Sequence, residues 1–273
     1  MNGQLAMQAC IAEVLSPKAG NVHPQADFDD VTWLDFVTSA IVISPILDRA
    51  CDLGLGETIL QCVTATREAV GSNTNLGIIL LLAPMCCAPG PEDVGKVLAS
   101  LDDEDATKVY QAIRVASPGG LGHANIADVN DPTTKIGLIE AMGLSADRDA
   151  VARQYINSFA DVFDHVMKDI VSHGEPLDEA IVKAHLQQMA REPDSLIMRK
   201  CGQDVAEESQ QRAKAVLAGE QTFDELDQWL REDGHARNPG TSADLITAGL
   251  FAAMAAGQVT FPMAWADNLP LCL

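Results

Sequence analysis

Apolar residues recur along almost the whole chain at the spacing of an α-helix. In the first segment Leu5, Ala9 and Val14 lie on one helical face. A residue before proline disfavours helical backbone, so Pro17 predicts that this helix ends near Ser16. The same spacing predicts a helix through Ile59, Leu60 and Val63 that Gly71 closes, and another through Val109, Ile113 and Ala116 that ends before Ser117-Pro118.

The strongest periodicity predicts a single helix that begins near Ser145 and ends at Gly174. Its predicted apolar face consists of Tyr155, Ile156, Phe159, Phe163, Val166 and Ile170.

Two later segments have the pattern of a capping box, in which a hydroxyl side chain and an acid three residues on satisfy the first amides of a helix. Thr222 with Glu225 predicts a helix that stops at Gly234. Thr241 with Asp244 predicts an Ala-rich helix that runs to Gly257.

Strand signals are nearly absent. Only residues 259–265 favour an extended backbone, and Pro262 interrupts them. No tandem repeat or low-complexity linker divides the chain. The sequence therefore predicts an all-α fold, with one compact multi-helix domain over residues 1–257 and an irregular C-terminal tail, residues 258–273, packed on it.

Composition supports a helical core and restricts the partners. Hydrophobic residues make up 47% of the 273 residues but aromatic residues only 4%, so the interior must consist mostly of Ala, Leu, Val, Ile and Met. The formal net charge of -21 repels nucleic-acid phosphates and disfavours anionic membrane surfaces. A phosphorylated small molecule is still allowed, because backbone N–H groups and a few cations act locally.

The cysteines and the N-terminus indicate where the protein works. Seven cysteines occur without CxxC spacing, and Cys86 and Cys87 lie in an apolar run, a pattern that favours a reducing compartment. The first segment contains Glu13 and lacks a basic region before a long apolar stretch, so no signal peptide is predicted. The most apolar run, residues 76–88, is too short to cross a bilayer. We expect a soluble cytoplasmic protein.

Five breaks between the predicted helices combine Gly, Asn, Ser or Thr with charged residues. They are residues 17–23, 71–77, 117–123, 193–200 and 237–244. Free N–H groups at a helix start, with the helix dipole behind them, form an anion site. Each break alone is also compatible with an ordinary cap or turn, but five of them favour a shared site. None matches a Walker A or dinucleotide-binding fingerprint.

Charged side chains cluster beside the breaks. The acidic clusters are Asp27, Asp29 and Asp30, then Asp128 and Asp131, then Asp147 and Asp149. Such carboxylates are candidate Mg²⁺ ligands together with substrate phosphates, although acid pairs also arise by chance in a chain with 39 acids. Four of the 18 basic residues, Lys18, Arg148, Arg199 and Lys200, also lie near the breaks. His23 and His123 lie in polar loops.

Taken together, the breaks resemble the motifs of the triphosphoribosyl-dephospho-CoA synthases, the CitG/MdcB family, over about residues 13–257. Pro17-Lys18-Ala19-Gly20 is similar to the family's Pro-Lys-Pro-Gly, and residues 71–77 contain the Asn-Thr pair. Asp-Ser followed by Arg-Lys-Cys-Gly occurs within residues 194–202, and residues 238–245 are similar to Ser-Pro-Gly-Gly-Ser-Ala-Asp-Leu. The resemblance implies an all-α enzyme in which ATP loses adenine and its triphosphoribosyl group passes to the 2′-hydroxyl of 3′-dephospho-CoA.

Three segments depart from the family pattern. Asn75-Leu76 stand where members usually have His-Lys, residues 119–123 lack an Arg and a Glu, and residues 27–30 shorten a Gly-Ala-His-x-Asp segment. The departures indicate a divergent branch. They leave two alternatives open: transfer of a phosphoribosyl-type group to another cofactor precursor such as a pterin, or a non-catalytic helical protein that binds nucleotides.

The resemblance and the breaks together predict the site residues. Asp29, Asp30 and Asp244 are the candidate catalytic carboxylates, and Asp29 with Asp30 the candidate Mg²⁺ ligands. The candidate nucleotide and phosphate contacts are Lys18, Gly20, Asn21, Asn73, Thr74, Asn75, Gly77, Ser195, Arg199, Lys200, Asn238, Gly240 and Thr241. The expected partners are small-molecule nucleotides, without nucleic acid or membrane, and a homodimer is compatible with the sequence.

Overall fold

The computed structural model describes residues 2–88, 90–117, 136–172 and 176–260. Within these ranges the secondary structure is helical, apart from an isolated bridge between His23 and Ala26. The helices are α1 (Asn2–Leu15), α2 (Trp33–Leu47), α3 (Ala50–Leu53), α4 (Leu55–Val70), α5 (Leu76–Cys87), α6 (Val94–Ala99), α7 (Asp103–Ala116), α8 (Leu138–Gly143), α9 (Ala150–Asn157), α10 (Met167–Ser172), α11 (Leu177–Arg191), α12 (Ser195–Cys201), α13 (Gln203–Leu217), α14 (Phe223–Arg231) and α15 (Gly240–Ala255). A 3₁₀ turn (Pro91–Asp93) precedes α6, and a π-helix (Val162–Val166) precedes α10.

Two buried helices, α5 and α15, form the centre of the main core. Both are apolar around most of their circumference, as expected of helices enclosed by others. They pack against each other, and α1, α9 and the π-helix pack on α15. A second, smaller core lies between α11, α12, α13 and α14. The predicted all-α fold is confirmed, and Ala, Leu, Val, Ile and Met do supply most of its interior.

Several predicted helix ends are confirmed. Helix α1 stops at Leu15, before Pro17. Gly71 ends α4 with φ of 78°, a backbone conformation that glycine adopts without steric cost. Thr222 accepts the amide of Glu225, whose carboxylate accepts the amide of Thr222, so the first capping box is present. Local chemistry alone decides these positions.

The single long helix predicted from Ser145 to Gly174 is wrong. Ser158 and Phe159 adopt positive φ values of 56° and 64°, which ends α9 and starts a new segment with a different phase. Ile156 is consequently 46% exposed, whereas Phe159 is completely buried. The π-helix then passes close to α15, where a side chain on Gly249 would meet Val166 Cγ1 at 2.6 Å.

Along the described ranges, no helix is both long and apolar enough to cross a membrane. Of the predicted tail, residues 261–273 lie outside the described residues, as does most of the segment 259–265 that was expected to be extended.

Candidate functional site

Loops and helix starts converge on a cavity of about 570 Å³. All five sequence breaks contribute to its wall, the third through Ser117. The predicted site residues that line it are Asn21, Asp30, Asn73, Thr74, Asn75, Gly77, Arg199, Lys200, Asn238, Gly240, Thr241 and Asp244. Residues more than 200 positions apart in sequence thus face the same space. The rest of the third break, with His123, Asp128 and Asp131, lies outside the described residues.

One wall of the cavity is apolar. Tyr110 and Ile113 of α7, and Leu138 and Met142 of α8, line it. The hydroxyl of Tyr110 donates to the carbonyl of Ile136 at 2.8 Å, which orients the ring. This wall suits a flat or aliphatic uncharged group, while the polar wall, formed by the other lining residues, suits an anion.

The start of α5 contributes backbone amides to the polar wall. Asn73 Oδ1 accepts the N–H of Leu76 at 3.1 Å and so serves the first turn of the helix. Asn75 occupies the N-cap position, but its side chain does not cap the helix. That side chain is only 5% exposed, and its Nδ2 has no hydrogen-bond acceptor within the described part of the chain. Thr74 is held by a 2.6 Å hydrogen bond between its hydroxyl and that of Ser39.

Gly77 lies against the carboxyl group of Asp244. A Cβ on Gly77 would meet Asp244 Oδ2 at 2.0 Å, so only glycine allows this approach. The contact places the carboxyl group beside the first turn of α5.

Asp244 lies one turn inside α15, because that helix begins at Gly240. The predicted capping box of Thr241 with Asp244 is therefore wrong, since Asp244 cannot reach back outside a helix that already includes Thr241. Its carboxyl group has no hydrogen-bond or ion-pair partner among the residues that the structure describes. Burial raises the pKa of Asp244 well above its usual value, nearby Glu13 raises it further, and Arg199 opposes the effect.

Arg199 and Lys200, in the last turn of α12, are the cations of the polar wall. Arg199 Nη1 lies 4.0 Å from Asp149 Oδ2, and Lys200 Nζ donates to the carbonyl of His235 at 3.4 Å. These contacts are long, so both cations can turn towards an anion at little cost. Burial lowers the pKa of Lys200, and the neighbouring charge of Arg199 adds to this effect.

Asp194 joins the starts of α12 and α15. Its Oδ1 accepts the amides of Leu196 and Ile197 at 2.8 and 3.1 Å, which caps α12. Its Oδ2 accepts the amide and the hydroxyl of Ser242 at 2.7 and 2.8 Å. One carboxylate therefore fixes the helix that carries Arg199 relative to the helix that carries Asp244.

Lys18 does not line the cavity, and the prediction that it binds phosphate is not supported. It is completely buried, with Nζ 2.9 Å from Glu13 Oε1. The same ammonium group donates to the carbonyls of Glu13 and Ser16, which hold it at the end of α1. The loop of residues 17–23 does reach the cavity, as the sequence predicted. The side chain of Lys18, however, points into the protein interior, where it pairs with Glu13.

Gly20 also has a structural role in place of the predicted phosphate contact. Its φ is +68°, and a side chain there would meet Leu230 Cβ at 2.6 Å. Its N–H donates to Asp227 Oδ1 at 2.7 Å. This packing holds the next residue, Asn21, at the cavity, where its Nδ2 donates to Asn238 Oδ1 at 3.1 Å.

The Asp29–Asp30 pair does not form the expected metal site. Asp29 is exposed and is not part of the cavity wall, whereas Asp30 lies 3.0 Å from His235 Nδ1. Among the described residues, no three carboxylate, imidazole or thiol groups come together as metal ligands. The neighbouring Phe28 does line the cavity, and its ring packs edge-on against His235 at 5.4 Å between centroids.

Ser195 is buried below the cavity, where its hydroxyl accepts the amide of Ala150 at 2.9 Å. Its predicted nucleotide contact is replaced by this internal one. The sequence analysis missed Glu13 and His235, which do line the cavity, as does Asp149, one of the candidate Mg²⁺ ligands named from the sequence. Glu13 carried a usable signal, since a carboxylate on a predicted apolar helix needs a partner, and Lys18 follows five residues later.

A buried histidine behind the site makes folding depend on pH. Burial lowers the pKa of His185 to about 3, the charge of Lys18 adds to this, and a hydrogen bond with Pro239 opposes it. Between pH 6.5 and 3, His185 is therefore protonated in the unfolded chain, where its pKa is near 6.5, but remains neutral in the folded chain. The contribution of neutral His185 to the free energy of unfolding is fully present above pH 6.5, and it is lost progressively as the pH falls towards 3. We expect His185 to lower the free energy of unfolding by about 2 kcal/mol between pH 8 and pH 5.

Urea unfolding at several pH values measures this dependence. His185→Gln should flatten it, whereas His165→Gln, which removes an exposed histidine, should leave it as in the wild type. If the free energy of unfolding of His185→Gln fell with decreasing pH as steeply as that of the wild type, another group would be responsible for the loss of stability in acid.

The comparisons with known proteins agree with this architecture. Residues 2–260 match the CitG family, described as ATP:dephospho-CoA triphosphoribosyl transferase. The chain is also similar to a crystal structure described as a triphosphoribosyl-dephospho-coA synthase from Archaeoglobus fulgidus. The two share 26% sequence identity with a TM-score of 0.66, over 81% of this chain and 99% of that one. Among curated proteins, no sequence matches this chain significantly.

Proposed function

Because the chain belongs to the CitG family of ATP:dephospho-CoA triphosphoribosyl transferases, we propose that it moves the triphosphoribosyl group of ATP to the 2′-hydroxyl of 3′-dephospho-CoA or a related acceptor. The observation that carries this proposal is the convergence of α5, α12 and α15 on one cavity. Their polar groups and the Asp244 carboxyl face the same space.

The polar wall supports binding of the triphosphate. Arg199 and Lys200 supply charge, Asn73 and Thr74 supply side-chain donors, and the first turn of α5 supplies free amides. The apolar wall supports binding of adenine or of the uncharged part of the acceptor. A molecule that is anionic at one end and flat at the other fits both walls.

The reaction requires a carboxyl group near the reacting carbon. The bond between C1′ of the ribose and the adenine nitrogen breaks, and C1′ bonds to the acceptor oxygen. Positive charge develops on the ribose ring as adenine leaves, and a nearby carboxylate stabilises that charge. The acceptor hydroxyl must lose its proton and the departing adenine must gain one.

Magnesium enters this proposal as part of the nucleotide substrate. Asp29 and Asp30 do not fit as a resident site, because only Asp30 reaches the cavity and it is paired with His235. We therefore assign no catalytic step to a metal held by this chain.

Release of adenine is the direct test of the proposed function. Purified protein, ATP, Mg²⁺ and 3′-dephospho-CoA should give free adenine and an acceptor heavier by one triphosphoribosyl group, as measured by chromatography and mass spectrometry. Binding of ATP without release of adenine, for any acceptor tested, would support the non-catalytic alternative.

The neutral Asn75-Leu76 pair favours one variation on this function. Asn75 offers an uncharged, unpaired donor to the cavity, and Leu76 beside it is apolar. An acceptor with fewer negative charges than dephospho-CoA, such as a pterin, would suit that wall. Adenine release measured with dephospho-CoA and with a panel of less charged acceptors shows which kind of acceptor the protein uses.

Arg199→Ala and Lys200→Ala should each weaken ATP binding about tenfold or more. Each change removes a charge-assisted hydrogen bond to phosphate, which contributes about 1.5–3 kcal/mol. Titration calorimetry with ATP and Mg²⁺ measures the affinity. Lys96→Ala, which removes a 79% exposed side chain on α6, serves as the matched control and should bind as the wild type does. Equal affinities for all four proteins would place the triphosphate elsewhere.

A further inference from the structure

Two carboxyl groups from different helices line the cavity. Glu13 comes from α1 and Asp244 from α15, two helices that pack against each other. The charge of Glu13 raises the pKa of Asp244, as expected of carboxyl groups that lie close together. Glu13 has a cationic partner and Asp244 has none in the described part of the chain, so the two carboxyl groups are suited to different roles in the reaction.

Glu13 has a fixed counter-ion. Lys18 Nζ lies 2.9 Å from its Oε1 and is held there by two backbone carbonyls, so the lysine cannot leave. Burial raises the pKa of Glu13, and Lys18 opposes that effect without cancelling it. Buried acids rarely remain charged unless they are paired. Lys18 therefore gives Glu13 a fixed counter-ion at the cavity wall.

Asp244 has the opposite surroundings. No described residue donates a hydrogen bond to it or pairs with it, and Gly77 leaves its Oδ2 beside the cavity. The titratable and charged groups around the two acids are Lys18, Cys10, Asp149, Asp194 and Arg199. Of these only Arg199 favours a charged Asp244. When two carboxyl groups compete for one proton, the proton resides on the one without the cation.

We infer that Glu13 and Asp244 are the base and the acid of the transfer reaction, an inference that rests on the proposed function. Glu13, positioned by Lys18, accepts the proton of the acceptor hydroxyl as its oxygen bonds to C1′. Asp244 donates its proton to the adenine nitrogen as the bond between that nitrogen and C1′ breaks. One proton is taken up and one is released, so the pair is restored when they exchange a proton through solvent.

A nucleotide that needs no acid separates the two roles. In N7-methylated ATP the purine already carries a positive charge and leaves without being protonated. Asp244→Asn should lower kcat with ATP about a hundredfold but kcat with the methylated nucleotide less than about threefold. Glu13→Gln should lower kcat about a hundredfold with both nucleotides and remove the acidic limb of the pH–rate profile. Glu104→Gln, on the exposed face of α7, should leave both rates unchanged.

Lys18 is tested as a positioning residue. Lys18→Arg should retain a pH–rate profile with an acidic limb, whereas Lys18→Met should shift that limb to higher pH because Glu13 loses its counter-ion. If Lys18→Met does not fold, the nucleotide comparison in Asp244→Asn still decides the assignment.

The outcomes distinguish this inference from the proposed function. A wild-type protein that releases no adenine with any acceptor refutes the function and the inference together. Adenine release by the wild type, with equal losses for Asp244→Asn on both nucleotides, refutes only the acid role. An acidic limb that persists in Glu13→Gln refutes the base role.

Discussion

Gly77→Ala is expected to lower transferase activity about a hundredfold, as Asp244→Asn does, while the fold remains intact. The added Cβ would lie 2.0 Å from Asp244 Oδ2, so the carboxyl group must move by more than an ångström. Asp244 is short and has no partner in the described part of the chain, so it can rotate away and the backbone need not shift. The substitution therefore removes the carboxyl group from the reacting atoms without unpacking the core.

Adenine release and thermal unfolding, measured on the same sample, test this expectation. Gly143→Ala is the matched control: Gly143 also lies in a helix, but its added Cβ would meet only Ile156 Cδ1 at an ordinary 3.7 Å. The control should keep full activity. A fully active Gly77→Ala would show that the position of Asp244 does not matter for catalysis.

Asp194→Ala is expected to lower the free energy of unfolding by about 4 kcal/mol. The side chain is 4% exposed and accepts four hydrogen bonds, two from α12 and two from Ser242 of α15. Losing a helix cap costs about 1–2 kcal/mol, and leaving buried donors unpaired costs about 1–3 kcal/mol more. Denaturant unfolding measures the loss.

Asp102→Ala separates the buried contribution from ordinary capping. Asp102 also caps a helix with one carboxylate oxygen and two amides, those of Glu104 and Asp105, but at an exposed position. Its loss should cost about 1 kcal/mol. Similar values for the two variants would mean that the link between α12 and α15 contributes nothing to stability.

The position of Asp194 also couples stability to the site. Helix α12 carries Arg199 and Lys200, and helix α15 carries Asp244. Because one carboxylate ties the two helix starts together, any rearrangement around Asp194 changes the distance between the phosphate-binding cations and the acid. We expect Asp194→Ala to lower both the free energy of unfolding and the transferase activity. Gly77→Ala should lower the activity alone.

Much of this molecule was predictable from local patterns. Helical periodicity identified the all-α class, Pro17 and Gly71 marked helix ends, and Thr222 with Glu225 marked a helix start. The polar breaks indicated which loops would meet, and Asn73, Arg199 and Asp244 do line one cavity. These features depend on interactions within a few residues, on steric limits of the backbone and on helix dipoles, all of which can be read along the chain.

Other features depended on partners distant in the chain. The sequence alone determined that the protein is helical, strongly acidic and carries polar loops at its helix starts. Only the tertiary structure decided that Lys18 turns inwards to Glu13, that Ser158 and Phe159 break a periodic helix, and that Asp244 faces the cavity beside Gly77. A charge without a partner is costly to bury, and a local pattern does not reveal which distant group will satisfy it.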